Sequence, residues 1–467
     1  MKLKAISHSF ALILSLFVST SSAQNAASLW LTKADRSVLF AKQPEGLAFS
    51  SKGNSKQTIY VNDKETYQPI DGFGYALTGG SAQHIIKMSA AARALLLKEL
   101  FATDGNNIGV SYIRLSIGAS DLNEKVFSYN DLPEGQTDLQ QEKFNLGLDK
   151  VDVIPVMKEI LAINPKIKIL GSPWSPPLWM KTTYDARGGM LKPEYYDAYA
   201  KYFVKYIQEM KREGIIIDAI TVQNEPLHPG NNPSLLMVAP EQAIFVKKNL
   251  GPAFEKAGIK TKIIIYDHNA DRPDYPISIL DDPDARKYID GAAFHLYGGK
   301  IEALTDVHNA HPDKNIYFSE QMVVERPGLA NINISGPVKR LIIGATRNWS
   351  RNVLEWNLAA DPENKPFTDR GGCPTCQGAV TIDKDSVSRN IAYYSIAHAS
   401  KFVRPGSVRI ASNELADLSN VAFKTPDGKK VLIVANSGKE TADFNISYNG
   451  KTLIARLDKG AVGTYIW

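Results

Sequence analysis

The sequence feature that most limits the possible folds is an alternation of apolar, strand-like segments with helix-like segments that begins at Ile70. Strands are predicted at Gly72–Ala76, Ser111–Ser116, Ile167–Ser172, Ala219–Gln223, Lys262–Tyr266, Ala292–Leu296, Ile316–Ser319 and Asn352–Trp356. Helices are predicted between them at Ala90–Leu100, Val151–Leu161, Glu194–Glu213, Pro240–Ala257 and Asp284–Ile289. Eight alternations favour a TIM-type (β/α)8 barrel in the α/β class. A doubly wound sheet is the alternative, but no glycine-rich phosphate loop opens a helix after a strand.

The sequence pattern changes after Lys401. Residues 407–467 contain short alternating runs separated by turn signals, which is typical of an all-β module. This module is too small to form two sheets alone, so we expect strand-like pieces from residues 24–67 to complete a β-sandwich. The predicted organisation is a sandwich built from both chain ends, 24–67 and 401–467, around a barrel at 68–400.

Residues 1–23 have the features of a secretory signal peptide. Lys2 and Lys4 precede an apolar run at Phe10–Val18, and a small-residue cleavage site ends at Ala23. The apolar run is much shorter than the ~20 residues that cross a membrane, and no other stretch is long enough. We therefore expect a secreted or periplasmic protein with no membrane span.

The charge balance argues against polyanionic partners. The full chain has a formal net charge of +5, and removal of the two signal lysines leaves 52 basic and 49 acidic residues, or +3. No run or stripe of Lys and Arg stands out, so neither nucleic acid nor anionic lipid is a predicted partner. We expect a monomer.

The chain has two cysteines, Cys373 and Cys376, in the loop sequence GGCPTCQG. A zinc site would need further Cys or His ligands, and a thioredoxin-like role would need the pair to open a helix. In an oxidising compartment a short local disulfide is favoured, with free thiols as the alternative.

Two segments combine an apolar strand with a terminal carboxylate. IDAITVQNEP, Ile217–Pro226, ends with Glu225 before a proline, and NIYFSEQ, Asn315–Gln321, ends with Glu320. Glu seldom ends an apolar strand unless it is paired or functional. Two carboxylates at strand ends are the groups that hydrolyse glycosidic bonds.

The other predicted strand ends carry aromatic, amide and charged residues. In a barrel of this type such residues meet at one rim, where rings stack on sugar faces and polar groups bind hydroxyls. The predicted substrate-binding residues are Arg114, Asp121, Trp174, Asn224, Asp267, His295, Tyr297 and Trp356.

Several residues at the predicted strand ends also have a purely structural interpretation. Arg114 could be a buried ion-pair partner, His295 a core histidine, and Asp121 and Asp267 loop caps, while Trp179 could serve packing alone. Asp267, His268, His295 and Glu320 could supply metal ligands one per strand, so metal-assisted hydrolysis stays open, although no close metal-binding spacing exists and no metal is predicted. A serine hydrolase is disfavoured because no Gly-x-Ser-x-Gly elbow follows a strand.

The chain resembles glycoside hydrolase family 30, the group of lysosomal glucosylceramidase and microbial endo-β-1,6-glucanases. The resemblance lies in IDGFGYALTG, IRLSIGASDL, ILGSPWSPPLWMKT, TVQNEP, the Asp267 segment, AFHLYGG, YFSEQ, EWNLAADPENKP and HASKFVRPGS, in this order. It implies a (β/α)8 barrel with a β-sandwich from both chain ends, retaining hydrolysis, and no cofactor.

The resemblance also implies roles for individual residues. Glu225 corresponds to the general acid/base and Glu320 to the nucleophile. Asn224 would bind the sugar 2-hydroxyl, Asp121 and Trp174 would hold the sugar in the −1 subsite, and Trp356 would line the pocket. Tyr297 would contact the nucleophile, and Arg114 would pair with it.

Two departures bear on the substrate. The nucleophile segment reads Ser-Glu-Gln, where glucosylceramidase relatives commonly carry Ser/Thr-Glu-Ala/Cys, and the GGCPTCQG loop is more similar to the glucanase branch. We therefore expect a β-1,6-glucan or its oligosaccharides as substrate. The alternatives are glucosylceramide, a substrate of an exo-acting β-glucosidase or β-xylosidase, or a carbohydrate bound without turnover.

Overall fold

The computed structural model describes residues 26–44, 46–325, 328 and 330–467, so the predicted signal peptide lies outside the described residues. Within them, eight parallel strands form a barrel in chain order. They are β1 (Gly72–Leu77), β2 (Tyr112–Ile117), β3 (Lys168–Pro173), β4 (Ala219–Thr221), β5 (Lys262–Ala270), β6 (Ile289–Gly299), β7 (Asn315–Glu320) and β8 (Asn352–Glu355).

The barrel is nearly closed. Each strand from β1 to β6 pairs with the next strand of the chain in parallel register, and β8 pairs with β1. Between β7 and β8, Arg351 N donates to the Ile316 carbonyl at 2.9 Å, and Phe318 N donates to Asn352 Oδ1 at 3.0 Å. The predicted TIM-type fold is confirmed, because the buried strands alternate with helices that cover the barrel.

Helices surround the barrel. The α-helices are Gly79–Lys87, Ala90–Phe101, Val153–Ile163, Tyr196–Arg212, Ala239–Phe245, Gly251–Ala257, Asp274–Leu280, Pro283–Arg286, Ala303–Ala310, Ser335–Pro337, Gly344–Arg347 and Ile391–Ser400. Short 3-10 turns lie at Gly147–Lys150, Leu178–Met180 and Pro193–Tyr195, and π-helical turns at Val246–Leu250 and Val338–Ile343. The predicted helix at Pro240–Ala257 is thus a helix with a π-turn in its middle.

Three barrel strands have carboxyl ends that differ from the predicted ones. β4 stops two residues early, whereas β5 runs four residues past Tyr266 and β6 three residues past Leu296. β5 continues beyond its apolar run because a β-bulge accommodates the polar residues that follow. The register between β5 and β6 shifts at this bulge.

A second sheet of ten strands contains strands from both chain ends, as predicted. Its strands are Ala26–Thr32, Ala41–Lys42, Leu47–Ala48, Thr58–Pro69, Val408–Ser412, Leu418–Lys424, Lys430–Asn436, Ala442–Tyr448, Lys451–Leu457 and Val462–Ile466. Leu31 and Leu453, which lie towards opposite ends of the strand order, belong to one apolar core, so the sheet folds back on itself as a sandwich. The domain limits at 68 and 401 stay a prediction.

The strand Lys430–Asn436 explains how the sandwich meets the barrel. Leu432 and Val434 pack in the sandwich core, whereas Val431 and Ile433 belong to the barrel's apolar cluster. The run VLIVA is continuously apolar because both faces of this strand are buried.

A buried histidine forms hydrogen bonds across the same interface. The ring of His398, on the last barrel helix, contacts Thr464 Oγ1 at 2.9 Å and Thr32 Oγ1 at 2.8 Å. These threonines lie on the last and first strands of the sandwich, so one side chain joins the barrel to both chain ends. Among the described residues, no helix has both the length and the apolar character needed to cross a membrane.

Candidate active site

The chain just after β4 presents Glu225 at the rim. Asn224 N donates to the Pro173 carbonyl at 2.8 Å, and Glu225 N donates to the Asp267 carbonyl at 2.9 Å. These bonds continue the sheet towards β3 and β5 after the regular strand has ended. Glu225 has a φ of 45°, in the left-handed region that non-glycine residues seldom occupy. The backbone is therefore held in an uncommon conformation at the proposed acid.

Glu320, the last residue of β7, lies in the same pocket as Glu225. Its Oε2 accepts a hydrogen bond from Arg114 Nη1 at 2.5 Å, and its Oε1 accepts one from the Tyr297 hydroxyl at 3.0 Å. One oxygen of each glutamate and a ring nitrogen of His295 lie within 4.8 Å of one another. Both glutamates are more than 90% buried. The fold thus brings together two carboxylates separated by 95 residues.

Arg114, from β2, organises the floor of this pocket. Its Nη2 donates to Asn224 Oδ1 at 2.7 Å and to Asp267 Oδ2 at 2.9 Å, and its Nε donates to Ser172 Oγ at 3.1 Å. The guanidinium carbon lies 4.8 Å from the ring centroid of Trp174. A planar, permanently charged group with several donors can hold two carboxylates and an amide in fixed relative positions.

A bulge in β5 aims Asp267 into the barrel. Tyr266 and Asp267 have φ values of 73° and 61°, and the register with β6 passes from Ala293–Tyr266 to Phe294–His268. Asp267 is therefore the extra residue of the bulge, a device that commonly redirects side chains beside active sites.

The carboxylate of Asp267 is held ionised. Three strand-end hydroxyls donate to it: Ser172 Oγ at 3.1 Å, Thr221 Oγ1 at 2.6 Å and Ser319 Oγ at 2.5 Å. Burial raises the pKa of Asp267, but the charge of Arg114 and the hydrogen bond from His295 outweigh burial and hold this pKa well below its usual range. Asp267 is thus a fixed negative charge rather than a loop cap.

His295, from β6, joins the acids. Its Nε2 lies 3.1 Å from Asp267 Oδ1, and its Nδ1 lies 3.2 Å from Glu225 Oε1 and 3.8 Å from Glu320 Oε1. Burial lowers the pKa of His295, but the charge of Glu320 and the hydrogen bonds to Asp267 and Glu225 raise it to about 9. The ring is therefore protonated at neutral pH.

The pKa values of the two glutamates shift in opposite directions. Burial raises the pKa of Glu225, yet the hydrogen bond from His295 and its charge lower this pKa below its usual value. The pKa of Glu320 is raised, because burial and the charges of Glu225 and Asp267 outweigh those of His295 and Arg114. The charge of His295 therefore favours the ionised form of Glu225, and the proton beside this glutamate is shared with His295.

Aromatic rings form one wall of the pocket. Trp174 and Trp356 are buried and stacked, with ring centroids 5.5 Å apart and an interplanar angle of 29°. Cys376 packs in the same apolar cluster. The predicted disulfide is confirmed, with a Cα–Cα distance of 5.5 Å between Cys373 and Cys376, so the cross-linked loop lies against the stacked tryptophans.

Asp121 and Tyr297 are the last two of the predicted site residues. Burial and the charges of Glu320 and Glu225 raise the pKa of Asp121 well above its usual value. Tyr297 is 44% exposed, and its hydroxyl accepts from Met322 N at 3.0 Å. The fold assembles all ten residues predicted for the site, and their individual roles stay predictions.

Sequence reasoning missed several residues that hold the site. Asn231, on the loop after β4, donates from Nδ2 to Glu225 Oε2 at 3.2 Å. Ser172, Thr221 and Ser319 surround Asp267. Each hydroxyl lies at or near the end of an apolar barrel strand, a position that could have been noticed, whereas Asn231 has no recognisable signal in its loop.

Two other rim residues have structural roles. The indole of Trp179 donates to the Asn130 carbonyl at 3.0 Å and meets Tyr195 edge to face, so the packing interpretation is right. Asn357 accepts hydrogen bonds from the hydroxyls of Thr78 and Ser81, at the start of the first barrel helix.

In the part of the chain that the structure describes, Glu225, His295 and Glu320 are the one group with three metal-ligand atoms close together. Both nitrogens of His295 are already hydrogen-bond partners of carboxylates. The side chains that would bind a metal therefore already have hydrogen-bond partners within the site.

A nearly closed (β/α)8 barrel with two facing glutamates at the carboxyl ends of β4 and β7 has the architecture of a glycoside hydrolase. The sequence matches "Glycosyl hydrolase family 30 TIM-barrel domain" over residues 70–403 and "Glycosyl hydrolase family 30 beta sandwich domain" over residues 406–465. The chain belongs to glycosyl hydrolase family 30 and is a glycoside hydrolase.

Similar proteins include glucanases and a glucosylceramidase. The chain is 35% identical over 405 residues to "Endo-1,6-beta-D-glucanase" of Neurospora crassa, covering 83% of this chain and 82% of that one. It is 29% identical over 437 residues to "Lysosomal acid glucosylceramidase" of Mus musculus, with 88% and 83% covered. A solved structure, "The endo-beta1,6-glucanase BT3312", superposes with a TM-score of 0.87 at 35% identity, covering 95% and 99% of the two chains.

Proposed function

We propose that this protein is a secreted or periplasmic, monomeric endo-β-1,6-glucanase that cleaves its substrate with retention of configuration. The observation that carries the proposal is the placement of one oxygen of Glu225 and one of Glu320 within 4.8 Å of each other in one buried pocket. Retaining glycosidases have carboxyl groups about 5–5.5 Å apart, and inverting ones about 6.5–9.5 Å.

The names of the relatives support the choice of linkage. Proteins named as endo-1,6-β-glucanases share 32–35% identity with this chain, whereas the mouse glucosylceramidase shares 29%. Gln321 and the disulfide loop are this chain's own departures from the glucosylceramidase pattern, and the loop lies against the tryptophan wall.

The first step forms a glycosyl–enzyme ester. Glu320, whose oxygens face the Arg114 guanidinium and the Tyr297 hydroxyl, attacks the anomeric carbon. The bond from that carbon to the glycosidic oxygen breaks, and the departing oxygen takes a proton from Glu225.

His295 supplies that proton. Its Nδ1 lies 3.2 Å from Glu225 Oε1, so the proton held between them can reside on either atom. As the departing oxygen becomes basic, the proton passes through Glu225 to it, which leaves Glu225 ionised and His295 neutral. Asp267 keeps the ring oriented from the opposite nitrogen.

The second step reverses the roles. Glu225 takes a proton from a water molecule, the water oxygen attacks the anomeric carbon, and the ester bond to Glu320 breaks. The proton returns to the pair formed by Glu225 and His295. The sugar then leaves with its original anomeric configuration.

The test compares pustulan (a β-1,6-glucan), laminarin, xylan and glucosylceramide side by side, with early products analysed by size and by proton NMR. We expect pustulan to give a ladder of oligosaccharides whose new reducing ends are first β-anomers. Turnover of the lipid alone would contradict the substrate, and early α-anomers would contradict the mechanism. Export is tested separately, by N-terminal sequencing of the released protein, which should begin at Gln24.

A further inference from the structure

His268 follows the bulged Asp267 in β5 and plays no part in the steps above. Its side chain is 8% exposed, and Nδ1 is a buried atom without a hydrogen-bond partner. Leaving a buried polar atom unpaired destabilises a folded protein, so such an atom calls for an explanation.

The unpaired nitrogen faces the proposed acid/base. Nδ1 of His268 lies 4.0 Å from Glu225 Oε1, too far for a direct hydrogen bond. One oxygen atom at about 2.8 Å from both would have an angle of roughly 90° between them, close to the angle between the two hydrogens of water. The gap therefore suits a single water molecule that donates one hydrogen to each residue.

We propose that His268 is a catalytic residue that holds the hydrolytic water against Glu225 in the second step. This inference rests on the proposed retaining mechanism. The O–H bond directed at Glu225 breaks as Glu225 takes that proton. The second hydrogen stays on the oxygen and is accepted by Nδ1, while an oxygen lone pair forms the bond to the anomeric carbon and the electrons of the ester bond return to Glu320.

The chemistry of the two steps limits the role of His268 to the second. The departing oxygen of the first step occupies the same position beside Glu225, by microscopic reversibility. That oxygen carries a sugar carbon where the water carries its second hydrogen. It has no hydrogen that the lone pair of Nδ1 can accept. Only water can therefore form this hydrogen bond with His268.

The environment of the ring fits an acceptor. Burial lowers the pKa of His268 to about 4, so the ring is neutral at neutral pH, and in its Nε2–H tautomer Nδ1 has a free lone pair. Tyr266 contacts the ring edge to face at a centroid distance of 5.8 Å, and this contact fixes the ring without using Nδ1.

The test uses 2,4-dinitrophenyl β-gentiobioside, whose good leaving group makes the first step fast and the second rate-limiting. His268→Phe keeps the ring shape and removes the lone pair, whereas His268→Asn places an acceptor oxygen near the position of Nδ1. We expect His268→Phe to lower the steady-state rate by at least about 10²-fold, the usual contribution of a positioned acid or base. Its pre-steady-state burst of dinitrophenol should keep its rate within about threefold, and His268→Asn should recover most of the loss.

Thermal unfolding of both variants separates a lost contact from a lost fold. A burst slowed by the same factor as the steady-state rate would overturn the inference, as would an unchanged steady-state rate in a folded His268→Phe protein. The proposed function fails differently: wild-type protein would then lack turnover of β-1,6-linked substrates or would release the inverted anomer.

Discussion

Nδ1 of His295 lies 3.2 Å from Oε1 of Glu225 and 3.8 Å from Oε1 of Glu320. One cation therefore lies between the two proposed catalytic carboxylates. It lowers the pKa of the nearer one and provides the proton that the acid must deliver. The resting site has one mobile proton, which belongs to the pair of Glu225 and His295 rather than to either residue.

This arrangement predicts the alkaline limit of activity. The pair loses its proton as the pH rises through about 9, the pKa of His295, so kcat/KM should fall above that pH. In His295→Asn, Glu225 alone must hold the proton, and the descending limb should move to lower pH. The measurement is the pH profile of kcat/KM on a β-1,6-linked oligosaccharide. An unchanged limb in a folded variant would contradict the role of His295.

The proposed nucleophile is tested by Glu320→Gln. The amide keeps the shape of the side chain but cannot form the ester, so kcat on pustulan should fall by at least about 10³-fold. Glu325→Gln is a control that removes a nearby carboxylate outside the site, and its activity should stay near the wild-type value. Activity of Glu320→Gln within tenfold of wild type would contradict the assignment.

The proposed acid/base has a different signature. Glu225→Ala should lose activity on pustulan, whereas an activated aryl glycoside still forms the glycosyl–enzyme ester because its leaving group needs no proton. Azide should then accelerate turnover of this variant, since an anion needs no general base, and the product should be the β-glycosyl azide. Wild-type protein, with its carboxylate present, is the control and should show little acceleration. Absence of rescue in a folded variant would argue for another acid.

Arg114 should contribute strongly to the free energy of unfolding. Arg114→Met removes the charge that pairs with Glu320 and Asp267 inside the barrel, and loss of one partner of a buried pair costs about 3–5 kcal/mol. Arg351→Met is the matched control, because its pair with Asp71 is partly exposed and should cost less. Urea unfolding measures both. A smaller loss for Arg114 than for Arg351 would contradict this account.

His398, at the interface between barrel and sandwich, predicts that the protein loses stability at acidic pH. Burial lowers the pKa of His398 to about 3, against an unfolded value near 6.5, so its contribution to stability is complete above pH 6.5 and falls as the pH drops towards 3. The loss is about 1.4 kcal/mol per pH unit below 6.5. His398→Gln should lose less Tm than wild type between pH 7 and pH 4, as measured by calorimetry. Equal losses would rule out His398 as the titrating group.

The sequence predicted the barrel because each strand is a short, largely apolar run followed by polar residues, and such runs are local patterns. Glu225 and Glu320 were identifiable for the same reason, since Glu320 ends a buried strand and Glu225 follows one. These features depend on burial alone, which sequence periodicity reports directly.

Other features depend on contacts between distant segments. The bulge that turns Asp267 inward requires β6 beside it, and the proton on His295 results from carboxylates on β4, β5 and β7. The effect of His295 on the pKa values of the two glutamates could not be predicted, because the sequence does not show that its ring lies between them. His268 shows the same limit, because an unpaired atom can be recognised only when its surroundings are known.

The pairing of Ala26–Thr32 with Val462–Ile466 has a consequence for how the chain matures. Thr32 pairs with Val462, 430 residues later (462 minus 32), so this strand pair must wait until Val462–Ile466 has been synthesised. The contact of His398 with Thr464 forms no earlier. Assembly of the β-sandwich against the barrel is thereby coupled to synthesis of the strands that follow the barrel.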